Sequence, residues 1–372
     1  MNQTRPLSMA QIVLSEEDIA AAVAVLRSGA LREGPECAAF EKEFAAATGA
    51  AHAVSCANGS AALHLVYHAL LRPGDEILVP SFTFVATASM AALVGAKVVA
   101  CDVDPVTFHL DLDDARRRLG PRTRAIAPVH LYGNPCVHED YAAFAREHGL
   151  FLIYDAAQAH GARCHGRDVG ALGDAVCYSF YPSKNLFVGE GGMITTGDGE
   201  LAQRLRLLRS HGQSGKYLHT VLGYNYRMTD VEAAIGRSQL RRLPAMLERR
   251  ARNARLLGEG LADLAGLRLP TVTTGGVHAW HQYTIVVDPD AAGMDRDELA
   301  RRLAARGVPS AVHYPRGVHQ QPVFAALGSA APPCPVTETL AARVLSLPVH
   351  HGLTDEDVAR IVAAVREALA GR

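Results

Sequence analysis

Net charge is nearly absent from this sequence: 37 Lys and Arg stand against 38 Asp and Glu, a formal charge of -1 over 372 residues. No global field gathers nucleic acid or an anionic membrane, so a small-molecule partner is expected. Paired cysteines are missing too. The seven present, Cys37, Cys56, Cys101, Cys136, Cys164, Cys177 and Cys334, are odd in number, scattered and never spaced C-x-x-C. That argues against a disulfide framework or a zinc site and leaves reduced packing residues, with no metal, as the expectation. Residues 1–8 hold one Arg and no apolar core, and no apolar run approaches a membrane span. A soluble, cytoplasmic chain is expected. Internal repeats and low-complexity segments are absent as well.

What is present is enough apolar sequence, 49%, for two domains with a well-buried core. The chain centres on Ala175-Val176-Cys177-Tyr178-Ser179-Phe180-Tyr181-Pro182-Ser183-Lys184-Asn185, followed by Gly189-Glu190-Gly191-Gly192-Met193-Ile194. A short apolar strand delivers Lys184 into a loop, and a Gly-rich turn leads into a second strand. Upstream, Phe151-Leu152-Ile153-Tyr154-Asp155 is an apolar run ending in a carboxylate. Open α/β sheets bind ligands beyond the carboxyl ends of their strands. A lysine able to form a Schiff base and a strand-end Asp able to partner a pyridinium nitrogen are the two groups a pyridoxal phosphate enzyme requires.

The surrounding pattern alternates strands with helices. Ser15 caps a helix over 15–28, and a second helix runs over 35–49. Strands are expected at 53–56, 76–79, 97–101 and 125–129, with helices at 61–71, 85–94, 113–119 and 138–148, giving a largely parallel sheet covered on both faces. Asn58-Gly59-Ser60 opens the helix over 61–71, and its free N–H groups make an anion site at which Gly59 admits a phosphate. After a helix over 200–209, residues 211–225 read as a long polar loop, which points to a functional or interface role. From Met228 a long helical region follows, with Pro244 as a kink or boundary. Beyond residue 250, strands at 283–287 and 311–314 and helices at 295–306 and 354–369 indicate a smaller α+β unit. The expected domains are 1–248 and 249–372.

Taken together, Ala57-Asn58-Gly59-Ser60-Ala61-Ala62-Leu63, Pro80-Ser81-Phe82-Thr83-Phe84-Val85-Ala86-Thr87, Pro128-Val129-His130-Leu131-Tyr132-Gly133, Asp155-Ala156-Ala157-Gln158-Ala159-His160-Gly161, Ser179-Phe180-Tyr181-Pro182-Ser183-Lys184-Asn185, Gly223-Tyr224-Asn225-Tyr226-Arg227-Met228 and Leu345-Ser346-Leu347-Pro348 occur in one order. In this the chain resembles, over nearly its whole length, the DegT/StrS-type sugar and aminocyclitol aminotransferases. The resemblance implies a fold-type-I transferase: a large, mostly parallel sheet domain flanked by helices, and a smaller C-terminal α+β domain. It implies pyridoxal 5'-phosphate, with pyridoxamine 5'-phosphate as the intermediate form. Lys184 would carry the cofactor and shuttle protons, Asp155 would pair with the pyridine nitrogen, Gln158 would contact the phenolic oxygen and Phe84 would stack on the ring. Gly59, Ser60 and Ser179 would hold the phosphate. Asn225 would reach the neighbouring subunit's phosphate, making a homodimer with shared active sites.

Tyr181, His313, Tyr314 and His319 are candidates for substrate contact. A small-molecule amino donor, glutamate or glutamine, and a keto-sugar acceptor, most readily nucleotide-linked, are expected; a keto-cyclitol such as scyllo-inosose is the alternative. The histidine-bearing dehydratase branch of the family is disfavoured by Lys184. A cofactor-binding regulator without turnover is a remote alternative, because the chain has neither spare length nor an obvious basic recognition helix for a DNA-binding module. A dinucleotide oxidoreductase is disfavoured, because Asn58-Gly59-Ser60 lacks the G-x-G-x-x-G pattern.

Overall fold

The computed structural model describes residues 6–327 and 332–371; the first five residues of the segment read above as lacking a leader lie outside them. Seven strands form one sheet in the order His52–Cys56, Gly192–Thr196, Ala175–Ser179, Phe151–Asp155, Thr123–Ile126, Glu76–Pro80 and Lys97–Cys101. Five neighbouring strands are mutually parallel. Gly192–Thr196 runs antiparallel to both neighbours, Ala175–Ser179 and His52–Cys56. Residues 180–191, which join it to Ala175–Ser179, contain no helix. A parallel return needs a crossover, usually helical, so the chain doubles back instead.

Because Gly192–Thr196 is reversed, His52–Cys56 points the same way as Ala175–Ser179, and Cys56, Ser179 and Asp155 end on one side of the sheet. Side chains alternate along each strand. Tyr154, Val176 and Tyr178 join the helix Pro35–Thr48 in one apolar layer. Ile153, Ala175 and Cys177 join the helix Gly59–Leu70 in the other. Both faces of the sheet are thereby covered.

The helix Asp230–Leu261 is capped by Thr229 with reciprocal bonds to Glu232, and it runs through Pro244 and across the 248/249 division expected from sequence. Its first half packs against the helices Glu16–Ser28 and Pro35–Thr48, and it also contacts the C-terminal helix Asp355–Ala370. Beyond it, Leu267–Arg268, Tyr283–Val287 and Val344–Leu347 form a three-stranded sheet over a third apolar cluster, which includes Leu299, Leu303, Ile361 and Val365. No helix among the described residues is long and apolar enough to cross a membrane.

Two local expectations are corrected. Residues 311–314 are not a strand: only Ala311 bridges to Ser346, because the His313 carbonyl is taken by the Tyr132 hydroxyl instead of a sheet neighbour. The loop at 211–225 is not structureless, since Gln213–Gly215 and Leu218–His219 pair within it.

Candidate active site

At the strand ends lies a cavity of about 470 Å³, to which Gly59, Ser60, Phe84, Asp155, Gln158, Ser179, Tyr181, Lys184, His313 and Tyr314 all contribute. They arrive from several elements: the helix Gly59–Leu70, the ends of the strands Phe151–Asp155 and Ala175–Ser179, the turn that carries Tyr181 and Lys184, and the adjacent pair His313 and Tyr314. Asn58 caps the helix Gly59–Leu70 by accepting from the Ala61 N–H at 2.8 Å. The first N–H groups of a helix have no intrahelical partner, so those of Gly59 and Ser60 are available to a bound anion. Gly59 is required by its neighbour: a Cβ there would stand 2.6 Å from the Ser179 Cβ. This close approach brings the helix start against the end of Ala175–Ser179.

Lys184 sits in a turn closed by its own N–H to the Tyr181 carbonyl at 2.9 Å. The following residue, buried Asn185, donates through Nδ2 to the Ala279 carbonyl at 2.7 Å. The Phe187 N–H donates to Gln239 Oε1 at 3.0 Å. The lysine-bearing turn is thus tied to the long helix and to residue 279. Burial pushes the Lys184 amine down to about 8, against the opposing pull of Asp155.

Asp155 is 5% exposed. Its Oδ2 accepts from the Thr87 hydroxyl at 2.7 Å, and its Oδ1 accepts from the Ala157 N–H at 3.0 Å. Burial raises its pKa, while these two bonds and the Lys184 charge oppose the rise. A carboxylate with donors on both oxygens, buried beside a cation, is built to hold a proton-bearing partner.

Three imidazoles feel the charge of the amine. Burial, reinforced by the Lys184 charge, pushes His160 down to about 3, His281 well below its ordinary value and His313 below it. All three are therefore held towards the neutral form. Gln158 is oriented from both ends: its Oε1 accepts from the Tyr132 N–H at 2.7 Å, and its Nε2 donates to the Tyr314 hydroxyl at 3.0 Å. The Phe84 ring, half exposed, leans on Tyr314 with centroids 5.9 Å apart.

Two sequence candidates lie outside the cavity lining. His319 bonds to the Ser81 hydroxyl and to Glu338 Oε1, the latter at 3.1 Å. Asn225 is exposed and bridges Ser210. It lies between Tyr224 and Tyr226, whose rings stack 4.8 Å apart and whose hydroxyls meet His68 and His64 of the helix Gly59–Leu70.

Sequence reasoning gave no role to Thr83, Thr87, Glu190, His281 or Gln282, which all border the cavity or bond to Asp155. Thr87 was legible in principle, one helical turn beyond Thr83 in a quoted motif. His281 carried no spacing signal; it reaches the site because the Ala279 N–H donates to the Gly133 carbonyl and the His281 N–H to the Tyr132 carbonyl.

Residues 13–366 match the sequence profile described as the DegT/DnrJ/EryC1/StrS aminotransferase family. A protein of Acidithiobacillus ferrooxidans named UDP-N-acetyl-3-dehydro-alpha-D-glucosamine 3-aminotransferase is 44% identical over 340 residues, covering 91% of this chain and 90% of that one. A Streptomyces venezuelae protein named dTDP-3-amino-3,4,6-trideoxy-alpha-D-glucose transaminase is 41% identical over 358 residues, covering 95% of this chain and 92% of its own length. Among solved structures, S. venezuelae DesV in complex with a ketimine intermediate has a TM-score of 0.93 at 39% identity, covering 98% of this chain and 99% of that one.

Proposed function

The chain belongs to the DegT/DnrJ/EryC1/StrS aminotransferase family, and from that membership we propose that it moves an amino group from glutamate or glutamine to the ketone of a nucleotide-linked keto-sugar. Family and structural neighbours imply pyridoxal or pyridoxamine phosphate as cofactor. The residues present fit that group: the helix start at Gly59 lies against Ser179 so closely that a Cβ on Gly59 would collide with it, and a carboxylate with a hydrogen-bond donor on each oxygen shares the cavity with the amine. The observation that carries the reading is this meeting of Lys184, Asp155 and the Gly59–Leu70 helix start in one cavity.

When bound, the cofactor supplies a pyridinium ring that absorbs the electrons released as a proton leaves the carbon next to nitrogen. The chain's own residues do the rest. Gly59, Ser60 and Ser179 hold the phosphate, as a helix N-terminus holds an anion. Asp155 keeps the proton on the ring nitrogen, and the Thr87 hydroxyl fixes the carboxylate for that task. Gln158, held by Tyr132 and Tyr314, would present its amide to the phenolic oxygen, and Phe84 would cover the ring. Lys184 Nζ, with a pKa brought towards neutrality, takes the proton from one carbon and returns it to another as base and then acid.

The nucleotide-linked acceptor rests on the two relatives whose names specify UDP- and dTDP-sugars. Tyr181, His313 and Tyr314 border the space it would enter. Asn225, exposed on a tethered loop, suits a contact with a second copy's phosphate, and a homodimer with shared sites follows from it. Residues 1–248 and 249–372 would be the two domains, joined by the continuous long helix.

The test is the absorbance spectrum of purified protein, before and after adding glutamate or glutamine, followed by a panel of nucleotide keto-sugars and scyllo-inosose. A visible band that donor abolishes and a nucleotide keto-sugar restores supports the reading. A band restored by scyllo-inosose alone transfers the assignment to a cyclitol. Failure to take up pyridoxal phosphate even when supplied overturns it.

A further inference from the structure

Outside the cavity, three side chains of different chemistry converge. Glu139 lies in the first turn of the helix His138–His148. Cys164 and His165 lie at the end of a strand and in the turn that follows it, between Arg163–Cys164 and Arg167–Asp168. His165 Nδ1 is 3.0 Å from Glu139 Oε2, and Cys164 Sγ is 3.8 Å from the same oxygen. All three ligand atoms fall within 4.8 Å of one another, and among the described residues this is the one such group.

From these distances we propose that Glu139, Cys164 and His165 bind one zinc-like divalent cation, with the fourth position open to water. Bond lengths of about 2.3 Å to sulfur and about 2.0–2.2 Å to nitrogen and oxygen place tetrahedral ligands about 3.3–3.7 Å apart. The observed separations bracket that range, so small side-chain rotations close the site. Thiolate, imidazole and carboxylate together suit zinc rather than magnesium or calcium, which favour oxygen alone.

The ligands are also held before any ion arrives. His165 and Gly166 take φ of +46° and +80°, a tight turn that lets adjacent residues present sulfur and nitrogen to one side. The His165 N–H donates to the Gly275 carbonyl at 2.9 Å, and its ring rests where any Cβ on Gly275 would collide. Cys164 Sγ accepts from the His138 N–H at 3.5 Å, so the sulfur already faces the helix that carries Glu139. Cys164 is buried while Glu139 and His165 are exposed, which leaves the fourth position towards solvent. On binding, the Cys164 thiol gives its proton to the buffer and the sulfur lone pair forms the bond to the metal; nothing is oxidised or reduced. The ion would pin the hairpin to the helix.

The test uses the cofactor-loaded protein, stripped with a chelator and titrated with Co²⁺, read as a difference spectrum against the zinc-loaded form. One cobalt per chain is expected, with a thiolate-to-cobalt charge-transfer band and tetrahedral d–d bands that zinc displaces. Cys164→Ser should abolish the charge-transfer band, and His165→Ala should weaken cobalt binding at least about tenfold. Glu139→Gln, an exposed and near-isosteric change, should weaken it as well. All three should retain the visible cofactor band and the transamination rate. Zinc should raise the melting temperature of the parent protein and not that of Cys164→Ser. No stoichiometric cobalt spectrum in the parent, or a spectrum unchanged in all three variants, overturns the proposal.

Discussion

Lys184 owes its lowered pKa to what packs around it. A solvated lysine titrates near about 10.4, and burial brings this one to about 8 although Asp155 pulls the other way. A lowered amine is neutral above its pKa, so the apoenzyme should capture pyridoxal phosphate faster as pH rises, levelling off above about 8. Stopped-flow absorbance measures that profile, and a rise continuing to the ordinary lysine range would show a solvated amine. Thr87 gives a second prediction. Its hydroxyl is one of two donors to Asp155, and a hydrogen bond to a charged group contributes about 1.5–3 kcal/mol. Thr87→Val should lower kcat roughly ten- to a hundredfold, with the cofactor still bound. Lys184→Ala should still fold, but lose the donor-sensitive band and at least about a thousandfold in rate.

At the level of elements, the helix Gly59–Leu70 is placed by a contact with no room in it. Gly59→Ala puts a methyl 2.6 Å from the Ser179 Cβ, and overpacking of this kind costs about 1–3 kcal/mol. Cofactor affinity should fall about tenfold or more in an equilibrium titration, while circular dichroism stays unchanged. Elements with local signals were legible in sequence: Lys97–Cys101, His138–His148 and Tyr283–Val287 fall on the expected residues. The placing of Lys184 and Asp155 was legible too, since each follows an apolar strand run, and the structure brings both to one cavity at the strand ends. Residues 311–314 were misread because propensity cannot see that a tyrosine hydroxyl takes the His313 carbonyl. The inward turn of His281 was hidden for a similar reason, since backbone bonds to residue 132 aim it. The Glu139, Cys164 and His165 group was invisible to a search for C-x-x-C, because one ligand comes from a distant helix and two are neighbours in a turn.

On the scale of the molecule, the helix Asp230–Leu261 ties both ends of the chain together. Its Asp230 side chain accepts from the Gly34 N–H at 2.8 Å and the Cys37 N–H at 3.0 Å, and Asn253 donates to the His350 carbonyl at 2.9 Å. If Asn225 serves a second copy, gel filtration with light scattering should give a dimer. Mixing Lys184→Ala with Asn225→Ala after subunit exchange should then recover about a quarter of parental activity, because half the dimers would carry one intact site. No recovery with verified exchange would make each site self-sufficient.

The antiparallel pairing of His52 with Thr196 also sets a timetable for synthesis. A ribosome releases the first strand early, yet its partner emerges only after residue 196, and the carboxylate that organises residues 34–37 comes later still. Through that interval the cores that bury Val54, Phe40 and Phe44 are incomplete, since they include Ile194, Met193 and Met228. Chains are most aggregation-prone while such surface is exposed. Ribosome-arrested chains ending before residue 196 should therefore engage chaperones strongly, and those extending well past residue 261 should be released.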